Sequence, residues 1–394
     1  MADLIVGLDI GTTKVCAVVG EMAENGLVDV VGIGTRPSHG MRKGVVVNIE
    51  QTVQSIRGAI EDAELMAGCE INSVYVGIAG GHIAGINSHG VIAVKGGEVG
   101  QRDVERALDA ARAVAIPADR EVIHILPQEY IVDNQRGIAD PLGMAGVRLE
   151  VKVHIVTGAV TSAQNIVRSC HRSELEVSDI ALESLASAKA VLTEEERELG
   201  VALVDIGGGT TDIAVLSLGG KVKATSVRVA GNHYDDEILK HVRNKFSIAI
   251  GQRTAEQLKK NVACCPQKAD FNETMEVKGR SLLTGLPIRV NVSTSDLYEP
   301  VMMLSEQIGT AAHQVLEKTP PELAGDIFRN GVVLTGGGAQ LHGLPEYLSQ
   351  ELKVNVEVSP DPVNCVALGT AMSLSVRDRL ETGFTDATPR IGRR

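Results

Sequence analysis

Short apolar runs closed by Gly or Asp alternate along the chain with longer stretches whose apolar residues recur at three- and four-residue spacing. That is the pattern of strands alternating with helices. One unit of it occurs twice. Residues 4–20 read LIVGLDIGTTKVCAVVG, and residues 201–218 read VALVDIGGGTTDIAVLSL. Each copy is an apolar strand ending in Asp-Ile-Gly, a small Gly/Thr turn and a second apolar strand. A third strand-like run follows each, Leu27–Gly34 in the first copy and Lys221–Val229 in the second. A strand-turn-strand unit repeated once per half predicts two related α/β domains, with their equivalent turns facing across a cleft.

Glu50–Gly68 has helical spacing and ends at a glycine suited to a C-cap. Ser73–Ala79 reads as a buried strand. The glycine cluster Gly77, Gly80, Gly81, Gly85 and Gly90 marks a boundary, and 85–160 reads as a separate small unit. In that unit Val104, Ala107, Leu108, Ala111 and Ala115 form one helical stripe, with Asp103, Arg106, Asp109 and Arg112 off it. Strands are predicted at Val122–Pro127, Tyr130–Asp133 and Leu149–Thr157. Helices are predicted at Ser162–Cys170 and Ile180–Leu192, with the acidic run Glu194–Glu198 as a solvated connector. Further on, helices are predicted at Asn232–Lys245, Thr254–Val262 and Asp296–Glu317, and loops and short strands between 265 and 293. Pro320 and Pro321 break the chain. A strand at Gly331–Leu334 enters TGGGAQL, and the pattern ends with helix Leu344–Glu351, strand Val354–Val358 and helix Val366–Leu380.

Composition narrows the function classes. The 394 residues carry 50 acidic and 38 basic side chains, a net charge of -12, so no basic face for duplex DNA is evident. With no Trp, four Phe and five Tyr, the chain has little to stack on single-stranded bases. A nucleic-acid partner is therefore not expected. No apolar run reaches the roughly 18 residues of a membrane-spanning helix, and the start shows no signal-peptide pattern. The six cysteines include no CxxC pair and read as reduced thiols of a cytoplasmic protein.

The chemistry concentrates in three glycine turns. Asp9-Ile10-Gly11-Thr12-Thr13-Lys14 and Asp205-Ile206-Gly207-Gly208-Gly209-Thr210-Thr211-Asp212 share one design. Small residues let backbone N–H groups converge on an anion, and Thr hydroxyls add donors. Asp9 and Asp205, each ending its strand, suit Mg²⁺ held through water, and Lys14 suits a point charge on phosphate. Two hairpins that merely need glycine are the alternative; the matched position of the two aspartates favours phosphate. The third turn is Thr335-Gly336-Gly337-Gly338-Ala339, between strand and helix, where backbone can approach a ligand and a helix N-terminus can face it.

Two DxG hairpins followed by a late GGG turn resemble the actin-like ATPase superfamily. Four stretches resemble, more narrowly, the bacterial FtsA cell-division family: PQEYIVDNQRGIADPLGMAGVRLEVKVHIVTG (127–158), LTEEERELGVALVDIGGGTTDIAV (192–215), VAGNHYDDEI (229–238) and VVLTGGGAQLHGL (332–344). The resemblance covers roughly 3–375. It implies an α/β actin-like fold, two related lobes around a nucleotide cleft, with an FtsA-type inserted subdomain. The expected organisation is a first lobe of 1–84 and 161–195, the insertion 85–160, a second lobe of 196–230 and 296–380 whose small subdomain is 231–295, and a flexible tail 381–394.

The same resemblance implies ATP and Mg²⁺ as ligands and at most a weak ATPase activity. It places Glu183 near the water that attacks the γ-phosphate, where the plainer reading is a helix-surface Glu. Glu256 and Lys259 fall on the ribose and adenine side, i and i+3 on one face, where the alternative is an exposed ion pair. Gly231 and Asn232 fall at a turn near the nucleotide. The implied role is a self-assembling scaffold at the cytoplasmic face of the inner membrane at the division site. Its expected partners are the C-terminal tail of FtsZ, other copies of itself and other division proteins. The segment ETGFTDATPRIGRR (381–394) offers only Phe384 and Ile391 as large apolar residues, and three arginines at about 1 kcal/mol each would hold a membrane weakly. The rival roles are a pilus-assembly actin homologue of the PilM type and a small-metabolite kinase of the same fold.

Overall fold

A computed structural model describes residues 4–23, 28–217, 220–265, 271–372 and 381–382. The described residues form two compact units. The first comprises those up to Gly200, Ala214–Ala224 and those from Asn364 onward; the second comprises Val201–Ile213 and Thr225–Val363.

The first unit opens with β1 (Leu4–Ile10), β2 (Lys14–Met22) and β3 (Val28–Pro37), an antiparallel meander in which Asp9 faces Cys16 and Ile10 faces Val15. Leu27, the expected first residue of the third run, lies outside the described residues. A small hairpin of β4 (Met41–Arg42) and β5 (Val45–Val46) leads to α1 (Ile49–Ala67). Asn48 caps α1 by accepting the Gln51 N–H at 3.1 Å, and Gly68 ends it at φ +68°, as the sequence predicted. The helix lies on β3, where a Cβ at Gly34 would overlap the Ala59 carbonyl. β6 (Ser73–Ile78) follows, parallel to β1.

The insertion begins there. Its elements are β7 (Ala84–Ala93), α2 (Gln101–Arg112), β8 (Arg120–Val132), β9 (Gln135–Ile138) and β10 (Arg148–Ala159). β10 pairs antiparallel with both β7 and β8. The predicted stripe Val104, Ala107, Leu108 and Ala111 is buried in a core of the insertion's own, with Tyr130, Leu149, Val151 and Ile155; Ala115 lies past the helix end. Two expected strands are one strand, β8. The register skips Gln128, since Val153 faces Pro127 and Lys152 faces Glu129, so a bulge absorbs the proline that the sequence reading took as an end. The glycine cluster predicted as a boundary runs from the end of β6 into β7, where the insertion starts, and within β7 Gly90 permits close packing, since a Cβ there would overlap the Ala107 carbonyl.

After the insertion come α3 (Val160–Arg172), β11 (Glu176–Leu182), α4 (Glu183–Val191) and α5 (Glu194–Leu199). The helix expected from Ile180 begins at Glu183. Ile180–Leu182 instead pair in parallel with β6, which buries all three. The acidic connector is a helix, α5, because Thr193 and Glu196 close a capping box at its start. The first sheet runs β11-β6-β1-β2-β3.

The second unit holds β12 (Val201–Ile206), a wholly buried strand, the start of β13 (Thr211–Ser217) and the end of β14 (Gly220–Val227), whose Ala214–Ala224 portion counts with the first unit, and the elements after them: α6 (Gly231–Phe246), β15 (Ile248–Ala249), α7 (Gln252–Asn261), β16 (Thr274–Ser281), β17 (Pro287–Ser293), α8 (Thr294–Glu317), α9 (Pro321–Asn330), β18 (Val332–Thr335), α10 (Leu344–Leu352) and β19 (Val356–Val358). Its main sheet runs β14-β13-β12-β18-β19, with β12, β18 and β19 parallel; β15, β16 and β17 form a small sheet. The proline pair starts a helix rather than only breaking the chain. Pro321 is the first residue of α9, where its missing N–H costs nothing.

The last helix, α11 (Cys365–Met372), belongs to the first unit, although the organisation expected from the sequence includes it in the second lobe. It lies on β1 and α4, and Gly7 permits the approach, since a Cβ there would overlap the Ala367 carbonyl. The expected continuation to Leu380 lies outside the described residues. Glu381–Thr382, expected in a flexible tail, form β20 beside β8; the rest of that tail lies outside the described residues. Among the described residues no helix is long and apolar enough to cross a membrane.

Candidate functional site

The first turn joins β1 to β2 at the carboxyl end of β1. β6 and β11 run parallel to β1, so three strands present their carboxyl ends together, the usual ligand edge of an open α/β sheet. Asp9 is buried there. Burial pushes its carboxyl above the ordinary value, and Lys14 pulls it back in part. A Cβ on Gly11 would lie 3.0 Å from the Lys14 carbonyl, so the turn is tight at that point. Thr12 Oγ1 accepts the Gly44 N–H at 3.1 Å, and the Thr13 carbonyl accepts the Ser38 N–H at 3.0 Å. Lys14 Nζ donates to Asn364 Oδ1 at 3.2 Å, just before α11. Glu183 opens α4 directly after β11. Its side chain lies along Gly77, where an added Cβ would stand 3.0 Å from its Cγ. The first unit thus brings Asp9, Gly11, Thr12, Thr13, Lys14 and Glu183 to one sheet edge.

The second turn joins β12 to β13. Gly207 N–H donates to the Thr210 carbonyl at 3.0 Å and closes it. The Gly207 and Gly208 carbonyls accept the N–H groups of Gly231 and Asn232 at 3.0 and 2.9 Å, so the start of α6 is sewn to the turn. Thr211 Oγ1 donates to the Val229 carbonyl at 2.6 Å, and Thr210 Oγ1 to Asp212 Oδ2 at 3.1 Å.

Asp205, buried, faces Thr335 in the register of β12 and β18. The GGG turn follows. Gly336 sits at φ +81°, and a Cβ there would stand 2.5 Å from Asp205 Oδ1. A Cβ on Gly338 would overlap Ile206 Cγ2, whereas Gly337 has open space around it. This turn does not lead straight into a long helix, as the sequence suggested. A 3₁₀ turn at Gly337–Gln340 intervenes, and α10 starts at Leu344. Its contribution is close backbone approach to Asp205, because Gly343 and Pro345 start a new helix only after Leu341.

Lys259 reaches the start of α6, where its ammonium meets the Gly231 carbonyl at 3.0 Å and the Asp235 carboxylate at 2.9 Å. Glu256, one turn earlier on α7, bonds to Lys260 at 2.6 Å, and this pairing holds its carboxyl below the ordinary value. The two residues expected to act together therefore have separate partners. Asp235 and Asn364 were not singled out in the sequence. Asp235 lies four residues after Gly231, on the same face of α6, and that spacing was its available signal. Asn364 has no local pattern. Among the described residues no cluster of His, Cys, Asp and Glu could hold a metal by side chains alone.

Residues 165–382 match the family model for MreB/Mbl protein, and residues 80–157 match the model described as the SHS2 domain inserted in FTSA. Among solved structures, MreB5 of Spiroplasma citri bound to ADP is similar at TM-score 0.64 and 22% identity, over 95% of this chain and 96% of that one. The PilM-PilN type IV pilus biogenesis complex is similar at TM-score 0.62 and 17% identity, over 93% of this chain and 97% of that one. The fold is actin-like, with an SHS2 insertion. The cell division protein FtsA of Pseudomonas aeruginosa is 49% identical over 350 residues, 89% of this chain and 81% of that protein. The chain belongs to the FtsA family of actin-like cell-division proteins.

Proposed function

We propose that the chain binds ATP with Mg²⁺ through its two DxG turns and serves as a scaffold of cell division. The observation that supports this most is the matched pair of buried aspartates, Asp9 and Asp205, each beside a glycine turn at the carboxyl end of a strand. The donor set fits Mg²⁺ bound through water. A buried carboxyl already pushed upward, as Asp9 is, gains from a cation nearby, and no side-chain cage competes for the ion among the described residues. Gly336 and Gly338 give a second fit, since their bare α-carbons keep backbone close to Asp205 and Ile206. Bound Mg²⁺ would neutralise phosphate charge. On this reading Gly11, Thr12, Thr13 and Gly208–Thr210 donate to phosphate, Gly207 and Thr211 hold the second turn in shape, Lys14 adds charge, and Glu256 takes the ribose side. Glu183 orients a water for at most slow hydrolysis.

Family membership supports the scaffold role. In it the protein self-assembles, binds the C-terminal tail of FtsZ and other division proteins, and works weakly at the cytoplasmic face of the inner membrane. The 49% identity to an FtsA protein favours it over a pilus-assembly homologue, and the insertion disfavours a metabolite kinase.

Ligand at about 100 times its Kd adds about 2.7 kcal/mol of stability. ATP with Mg²⁺ should therefore raise the melting temperature of the parent, and Asp205→Ala or Gly208→Val should remove most of the rise. Equal shifts in parent and variants would sink the site assignment. Sedimentation with the FtsZ tail and anionic vesicles, with and without ATP, tests the scaffold role; no ATP-dependent co-sedimentation would count against it.

A further inference from the structure

Lys259 is expected from the family pattern to touch the nucleotide, but its ammonium is already engaged. It has three protons to donate. The Gly231 carbonyl lies 3.0 Å away, and the two oxygens of Asp235 lie 2.9 and 3.0 Å away. Both side chains are withdrawn from solvent, at 16% exposure for Lys259 and 6% for Asp235. Two of its protons are committed inside the fold, one to the Gly231 carbonyl and one to the Asp235 carboxylate, whose Oδ1 makes no hydrogen bond of its own, so its first attachment is to the protein.

Its effect travels instead through Gly231. That residue opens α6, and its N–H donates to the Gly207 carbonyl; the next N–H, of Asn232, donates to the Gly208 carbonyl. A trans peptide points its C=O and its N–H in opposite directions. With the Gly207 and Gly208 carbonyls turned toward α6, the N–H groups of Gly208 and Gly209 face the other way, off the turn. These are the donors a phosphate would need.

We infer that Lys259 and Asp235 are positioning residues, a buried pair that fixes the first turn of α6 and, through it, the two peptide planes of the second phosphate turn. The inference rests on the nucleotide reading of that turn. It separates the phosphate end of the ligand from the base end, and the test uses that separation.

Binding of ATP with Mg²⁺, of sodium tripolyphosphate and of adenosine is measured by calorimetry for the parent, Lys259→Met and Asp235→Asn. Both variants should lose about tenfold in affinity, the scale of a hydrogen bond to a charged group, for ATP and for tripolyphosphate alike. Adenosine binding should not change. Unchanged tripolyphosphate binding, whether or not adenosine binding falls, overturns the inference, and a loss confined to adenosine and ATP assigns Lys259 to direct contact. If the parent binds neither ATP nor tripolyphosphate, the nucleotide reading fails first and the inference falls with it.

Lys259→Met leaves Asp235 buried and unpaired, so folding of that variant is checked by circular dichroism. Should it fail, Asp235→Asn, which keeps the shape of the pair, decides by hydrogen exchange. The Gly231 and Asn232 amides, which bond to the turn, should exchange faster than in the parent while the β12 amides do not. Unchanged exchange at those two amides also overturns the inference.

Discussion

The two DxG turns share a strand, an aspartate and a spacing, yet they are held in different ways. The first carries its own cation, Lys14, and is propped by single bonds from separate places, Gly44 to Thr12, Ser38 to Thr13 and Lys14 to Asn364. The second has no cation within the turn; Asp212 stands where Lys14 does in the first. It is fixed by backbone: two bonds from the start of α6 and the bare α-carbons of the GGG turn against Asp205 and Ile206. A duplicated unit has kept its aspartate and diverged in its supports. The difference teaches that the second turn leans more on glycine, beside its one strut from Thr211 to Val229, and the first more on bonds in which Thr12 and Lys14 take part.

The sharpest way to break the comparison is to add one methyl group on each side. Gly336→Ala meets both a positive φ and overlap with the Ile206 carbonyl, backbone that cannot give way. The expected cost is about 2–4 kcal/mol in urea unfolding. Gly11→Ala meets only the Lys14 carbonyl at 3.0 Å and should cost about 1 kcal/mol. Equal costs would show that the two turns are supported alike.

A smaller effect should appear with pH near the first turn. The Gly44 that donates to Thr12 lies against Gly80, and Gly80 against His82. Burial, helped by Arg120, holds the His82 imidazole down to about 4. The unfolded chain then binds a proton that the folded chain refuses. Stability from this residue is present above about pH 6.5 and is lost as pH falls toward 4. In His82→Gln the drop in melting temperature between pH 7 and pH 5 should be smaller than in the parent. The smallest effect belongs to Gly337→Ala. Nothing lies within 4 Å of a Cβ there, so stability should stay within about 0.5 kcal/mol. A large loss would mean that the GGG turn is constrained at its middle as well as at its ends.

The strand-turn-strand repeat was legible because it is local. Apolar alternation, Asp-Ile-Gly and small residues all fall within one turn of chain, and the structure brings each set together on its own sheet edge. α1 was legible to its last residue through Gly68. What the sequence hid depends on partners distant in the chain. Ile180–Leu182 look helical until β6 pairs with them. The glycines at 85 and 90 mark the boundary correctly but hide the strand β7, which shows only once α2 lies on it. The second unit's positioning pair was half visible: Lys259 stood out by motif, but its role turns on Asp235, 24 positions earlier. α5 and α9 were missed for a different reason, since charge and proline were read as breaking structure when the first residues of each helix use them.

The insertion leaves and rejoins the first unit side by side. Ala84, where β7 begins, pairs with Thr157 near the end of β10. The guanidinium of Arg120 straps the two crossings, with bonds to the His82 carbonyl at 2.8 Å and to the Thr157 carbonyl at 2.8 Å. Seen as a mechanical joint, this is a tab attached by one edge. A pull on the far end of the insertion draws on β7 and β10 in parallel, so the two strands share the load and the ladder between them is not pried apart. At the root of the tab the strap keeps the two crossings abreast, so neither can take up the load ahead of the other.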